Sequence, residues 1–191
     1  MSSLIMGHGD ANGPQAASVD LKLEVVIVPV SDVDRAKEFY ATIGWRLDAA
    51  RSGNQGVRLI QCTPPGSSCS IQLGSGITSA APGSVQGFYA VVSDIEAARS
   101  RFVAQGIETS EVFHCSEGFA CRFTDNGKRI VGPHPDRATG RSYLTFSDLD
   151  GNGWIVQEVT KPLPGRVVGN PPFTSVQDLA QAMIRASKGN C

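Results

Sequence analysis

The chain has 191 residues, 41% of them hydrophobic, which is enough for a core in one ordinary domain or two small ones. Seventeen basic residues against eighteen acidic ones leave a net charge of −1, so no excess of one sign draws the protein toward nucleic acid or an anionic membrane. Neither is expected as a partner.

Residues 1–19 are rich in Gly, Ala and Ser and lack the basic start and apolar run of a signal peptide or membrane span, so they read as a flexible tail. A cytoplasmic location is the expectation. Residues 23–30 form a β-branched run that predicts a strand. A helix follows, because Ser31 and Asp34 have capping-box spacing and Val33, Ala36, Phe39, Tyr40 and Ile43 recur at three- and four-residue steps. Gly44 sits where a left-handed helix terminus is wanted. Short strands are predicted at 45–49, 57–62 and 70–73, then a Gly/Ser/Pro linker at 75–84.

The pattern then repeats. VSDVDRAKEFYATIG and VSDIEAARSRFVAQG align at one constant offset, pairing Val30 with Val92, Ser31 with Ser93, Asp32 with Asp94, Ala36 with Ala98 and Gly44 with Gly106. The second copy has a strand at 88–92, a helix whose capping box is Ser93 and Glu96, and strands at 108–113, 119–124, 143–147 and 154–159. DLDGNG from Asp148 matches the start of a calcium loop, but its twelfth position is Val159 and its flanks read as strands, so it is a tight turn. After Lys161 the four prolines of PLPGRVVGNPPF predict an extended segment. A last helix follows, with Val176, Leu179, Ala180, Met183 and Ile184 on one face. The organisation is therefore a tail (1–19), a two-module domain (20–161, with modules 20–74 and 85–161) and a C-terminal extension (162–191). Five cysteines without a C-x-x-C pair fit reduced, unpaired thiols.

Two strand-helix-strand-strand-strand copies, with V-S-D-[VI]-[DE] opening each helix and D-L-D-G-N-G-W before the final strand, resemble the vicinal oxygen chelate superfamily of glyoxalases, bleomycin-resistance proteins and extradiol dioxygenases. The resemblance spans residues 21–161. It implies an α+β fold of two tandem βαβββ modules forming curved mixed sheets around a cavity, and relatives that dimerise make a homodimer an expectation. The family's four metal-ligand positions carry over to Val25, Gln72, Gly87 and Ile155, with Gln157 next on the last strand's same face. These residues lack carboxylate, imidazole or thiolate donors, so no metal or other cofactor is expected.

Strand alternation turns Tyr89 inward, together with Ser70, Gln72 and Gln157, while Val25 and Ile27 line the same space. Tyr89 either donates a proton or hydrogen bond to a bound carbonyl or enolate, or merely ends the core with its hydroxyl in water. His114 is either a pocket base or a hydrogen-bonded core or surface residue. Arg141 and Tyr143, beside the loop GPHPDRATGR that also carries His134 and Arg137, can meet a carboxylate or phenolate. Parity puts Glu158 away from the cavity, on a solvated or salt-bridged edge. Three functions remain: a metal-independent lyase, isomerase or cyclase acting through Tyr89 and His114 on a small oxygenated or aromatic substrate; a binding protein of the bleomycin-resistance type; and a metal enzyme using His114 with Glu111 or Glu24.

Overall fold

The computed structural model describes residues 22–116, 121 and 128–161. The tail at 1–19 and the extended segment and helix at 162–191 lie outside the described residues, as does most of the strand expected at 119–124.

Module one is β1 (Val25–Pro29), α1 (Val33–Thr42), β2 (Arg46–Ser52), β3 (Arg58–Thr63) and β4 (Ser70–Ser75). Module two is β5 (Phe88–Val92), α2 (Ile95–Ala104), β6 (Phe113–Cys115), β7 (Arg129–Val131), β8 (Ser142–Ser147) and β9 (Gly153–Glu158). The chain thus forms two mixed sheets, ordered β1-β4-β3-β2 and β5-β9-β8-β6-β7, each with its first strand parallel to its last. Among the described residues no helix is long and apolar enough to cross a membrane.

The helices begin one residue later than the capping boxes predict. Asp32 Oδ1 accepts from the backbone N–H of Asp34 and Arg35 at 3.0 Å each, and Asp94 Oδ1 does the same for Glu96 and Ala97. A carboxylate at the cap satisfies two orphan donors and adds a negative charge at the positive helix end, which a serine cannot. Ser31 bonds Asp150 of module two instead. Both helices end as expected, with Gly44 and Gly106 at φ 86° and 76°.

Residues 107–112 are not the strand expected there, apart from an isolated bridge between Thr109 and Phe146. That backbone is satisfied piecemeal: Arg99 Nε donates to the Ser110 carbonyl at 3.1 Å, Ser110 N donates to the Thr145 carbonyl at 2.9 Å, and the Val112 carbonyl accepts from Gly132 N at 2.7 Å. The exposed β7 was not foreseen, because three residues carry too little periodicity.

The helix-side faces of the two sheets share one core. Val28, Ile60 and Leu73 of module one join Leu144, Phe146, Trp154 and Val156 of module two around α1 and Ile95. Phe39 lies 6.4 Å from Phe146, and Trp45 meets Trp154 edge-on at 5.1 Å between ring centroids. The turn after β8 latches the modules together. Tyr40 Oη donates to Asp148 Oδ2 at 3.0 Å and accepts from Trp154 Nε1 at 3.1 Å, while Asn152 Nδ2 donates to the Pro29 carbonyl and to Asp148 Oδ2 at 3.0 and 2.8 Å. Burial first, and the Asp148 charge second, raise the Tyr40 phenol above its ordinary range, so it stays a donor at any working pH.

Candidate functional site

Since the helix sides meet in the core, the other face of each sheet is turned away from that core. Cross-strand register shows what these open faces carry. On sheet one Val25 stands beside Ser70, and Ile27, Gln72 and Gln61 form a row. Gln72 Nε2 donates to Gln61 Oε1 at 3.2 Å. Ser70 Oγ lies 2.7 Å from Thr63 Oγ1, which donates to Asp48, itself held by Arg46 Nε at 2.6 Å. The Thr63 hydroxyl first, and the Arg46 guanidinium second, keep the Asp48 carboxyl below the usual carboxylate range. Asp48 is therefore a poor general base, and the Ser70 hydroxyl lacks activation through it.

On sheet two, one row is Tyr89, Ile155 and Thr145, and the next is Val91, Gln157, Tyr143 and Phe113. Phe113, Tyr143 and Ile155 form a second buried cluster with Cys115 and Cys121. Those two cysteines are disulfide-bonded, which corrects the expectation of unpaired thiols; Cys62 and Cys69 are the free ones among the described residues. Spacing gave no sign of the bond, because β6 and the returning chain bring the two together in three dimensions. Burial first, and Asp48 second, push the Cys62 thiol up to about 11, so it is an inert core group. A sequence separation of six makes the disulfide worth about 2 kcal/mol in the chain-entropy picture. Replacing both partners with serine is expected to lower the unfolding free energy by that amount in urea titrations; an unchanged midpoint would show that the bond contributes nothing.

A cavity of about 1030 Å³ lies against sheet two, lined by Gly87, Ile155, Thr145 and Arg129, by the 106–110 segment and Leu149, and by Phe39 as module one's contribution. Arg129 stacks over the Phe113 ring at 4.4 Å and donates through Nε to the Cys121 carbonyl at 2.8 Å. The cavity expected between the modules is thus built almost wholly by module two.

The predicted site residues divide between places. Tyr89, Gln157 and Tyr143 share the open face of sheet two, with Tyr89 38% exposed, while Val25, Ile27, Ser70 and Gln72 share that of sheet one. Gln157 Nε2 donates to the Gly140 carbonyl at 2.9 Å, as does the Tyr143 hydroxyl. Arg141 is exposed. His114 pairs with Ser142 on the helix side of the sheet, opposite Tyr89, with Nδ1 2.9 Å from the Gly132 carbonyl and its ring against His134. Glu158 is on that side too, as parity predicted, but it is fully buried rather than solvated: Arg137 pairs with it, and Ser142 Oγ and the Ile95 N–H donate to it at 3.2 and 3.3 Å. Gln61, Thr63, Asp48 and Arg129 escaped sequence reasoning. Gln61 was within reach, since alternation along β3 sets it beside Gln72.

The sequence from 22 to 156 matches the model of the Glyoxalase/Bleomycin resistance protein/Dioxygenase superfamily. The chain belongs to that superfamily. Solved structures agree. TnmS3, an antibiotic binding protein from Streptomyces sp. CB03234, is 27% identical with a TM-score of 0.56, over 74% of this chain and 98% of its own. A glyoxalase/bleomycin resistance protein from the same organism is 28% identical with a TM-score of 0.53, over 72% of this chain and 100% of its own. A superfamily member from Sphaerobacter thermophilus DSM 20745, at 21% identity, a TM-score of 0.55 and coverage of 73% and 98%, shows the shared fold. The sequence matches no curated protein.

The superfamily implies a metal, and the four positions assigned to its ligands lie on open faces, Val25 and Gln72 on sheet one and Gly87 and Ile155 on sheet two. Two aliphatic groups, an amide and a glycine do not fit a divalent ion, which needs carboxylate, imidazole or thiolate donors. The alternative ligands are dispersed, with His114 on the helix side and Glu111 held by Arg99. Among the described residues no three His, Cys, Asp or Glu side chains gather as a metal site.

Proposed function

We propose that the protein binds and sequesters a small organic molecule, with an antibiotic as the first class to test, and does so without a metal. The observation that carries this reading is the cavity against sheet two, which is large enough for a drug-sized ligand and is walled by apolar groups such as Ile107, Leu149 and Ile155 and about equally by polar ones such as Thr109, Arg129 and Thr145. Its lining lacks both candidate catalytic residues, Tyr89 and His114. The Asp148 in its wall is already engaged by Tyr40 and Asn152. The 27%-identical neighbour described as an antibiotic binding protein supports the ligand class.

The open faces also assign a role to a second copy. Ile27 and Val91 are 42% and 43% exposed on the faces turned away from the shared core, as is Tyr89 at 38%. A homodimer that lays the sheet-one face of one copy over the sheet-two face of the other brings Val25, Ile27, Ser70 and Gln72 opposite Tyr89 and Val91 on β5, next to the cavity wall at Ile155.

Calorimetric titration of the chelator-treated protein with a panel of antibiotics, bleomycin among them, tests the reading. We expect micromolar or tighter binding of at least one compound, recovered with unchanged mass. Thr145→Trp, which fills the cavity, is expected to weaken that binding at least tenfold while leaving the melting temperature within a few degrees. Product formation that Tyr89→Phe abolishes would replace sequestration with catalysis, and a stoichiometric metal in protein purified without chelator would overturn metal independence.

A further inference from the structure

The internal repeat gives the molecule two equivalent seams, where the helix of each module meets the turn between the last two strands of the other. At the first seam Tyr40 of α1 bonds Asp148, the residue that opens the turn after β8. At the second seam the repeat offset sets Phe102 of α2 in the place of Tyr40, and Pro64 opens the turn after β3 in the place of Asp148. The polar latch of one seam is an apolar gap in the other. A groove of about 350 Å³ remains there, lined by Trp45, Pro64, Pro65, Val92, Ala97 and Phe102 among others. It runs along β5, an edge strand of sheet two.

The chain itself leads to this groove. Val159 N donates to the carbonyl of Val92, a groove-lining residue, at 2.8 Å, and the described chain ends two residues later, with 162–191 still to follow. The sequence that comes first, PLPGRVVGNPPF at 162–173, carries four prolines together with Leu163, Val167, Val168 and Phe173. Proline-bearing extended segments suit grooves lined by aromatic rings, because little conformational freedom is left for them to lose on docking. Twelve residues reach about 40 Å when extended, ample for a groove at their own starting point. An extended cover also shields an edge strand from pairing with other chains. We infer that residues 162–173 of the same chain occupy the inter-module groove and complete the second seam.

The test uses the full chain with the photoreactive amino acid p-benzoylphenylalanine in place of Ala97 in the groove, and in place of exposed Glu38 on α1 as a control. After irradiation of mixed 14N- and 15N-labelled protein, peptide mass spectrometry is expected to find cross-links from position 97 to 162–173 within one isotope, and none from position 38 to that segment. Introducing Leu163→Asp with Val167→Asp is expected to reduce the cross-link yield about tenfold. Cross-links that join the two isotopes, cross-links to any other segment in place of 162–173, or a yield that the aspartates leave unchanged would each overturn the inference.

Discussion

Substituting Trp154→Ala is expected to lower stability by about 3–5 kcal/mol, or roughly 10 °C in melting temperature for a chain of this size. Trp154 is 4% exposed and stacks on Phe88 at 4.7 Å, with Trp45 at 5.1 Å and Phe146 at 5.9 Å between ring centroids. Trp45 comes from module one and the other two from module two, so the indole is a joint between the modules as well as a filler of one. Truncation opens a cavity that rings on three sides cannot collapse to fill, and it removes the Nε1–H that Tyr40 Oη accepts. Tyr40→Phe separates the two contributions. It keeps the packing but leaves the indole N–H without its acceptor, while Asp148 Oδ2 retains the Asn152 donor, at about 1–3 kcal/mol. Chemical denaturation of both variants measures the difference. A Trp154→Ala loss below about 1 kcal/mol would mean that the modules do not share this core.

How far the sequence could be read follows from the kind of interaction involved. The repeat, both helices with their glycine ends, and the face that each strand turns toward the helices were legible because local period and burial agree along those segments: Phe39 and Tyr40 are buried where the stripe on α1 puts them, and Glu158 shares a face with Trp154 and Val156. What escaped was set by partners distant in sequence. Ser31, next to the cap that Asp32 supplies, bonds Asp150, 119 residues away. The Cys115–Cys121 bond and the position of Arg129 over Phe113 depend on how β6 and β7 come together, and no local period encodes that. Which wall builds the cavity was equally hidden, because alternation says which residues share a face but not whether two such faces look at each other. The shared core, through contacts such as Trp45 with Trp154, decides that they do not within one chain.

Removing the Arg137 side chain is expected to cost more than neutralising its partner, although Arg137 is the more exposed of the two. Glu158 has no solvent exposure, whereas the Arg137 side chain is 39% exposed. Glu158→Gln leaves an arginine that water and Glu96 can still solvate, and its one amide oxygen keeps one of the two donors, Ile95 N–H at Oε1 or Ser142 Oγ at Oε2, so a loss of about 1–2 kcal/mol is expected. Arg137→Ala instead leaves a carboxylate in a site that water does not reach, with two neutral donors to hold it. That loss should be clearly the larger of the two, though below that of a wholly buried pair because the guanidinium was partly hydrated already. The double variant Arg137→Ala/Glu158→Leu removes the stranded charge as well and is expected to recover part of that loss. The consequence reaches the proposed site: Gly140, three residues along the same loop, receives its hydrogen bonds from Gln157 and Tyr143 on the open face. Amide exchange across residues 132–141 should therefore quicken in Arg137→Ala, and slow again in the double variant. Equal stability of Arg137→Ala and Glu158→Gln would show that the carboxylate is not sealed from water and that the loop is anchored by something other than this charge.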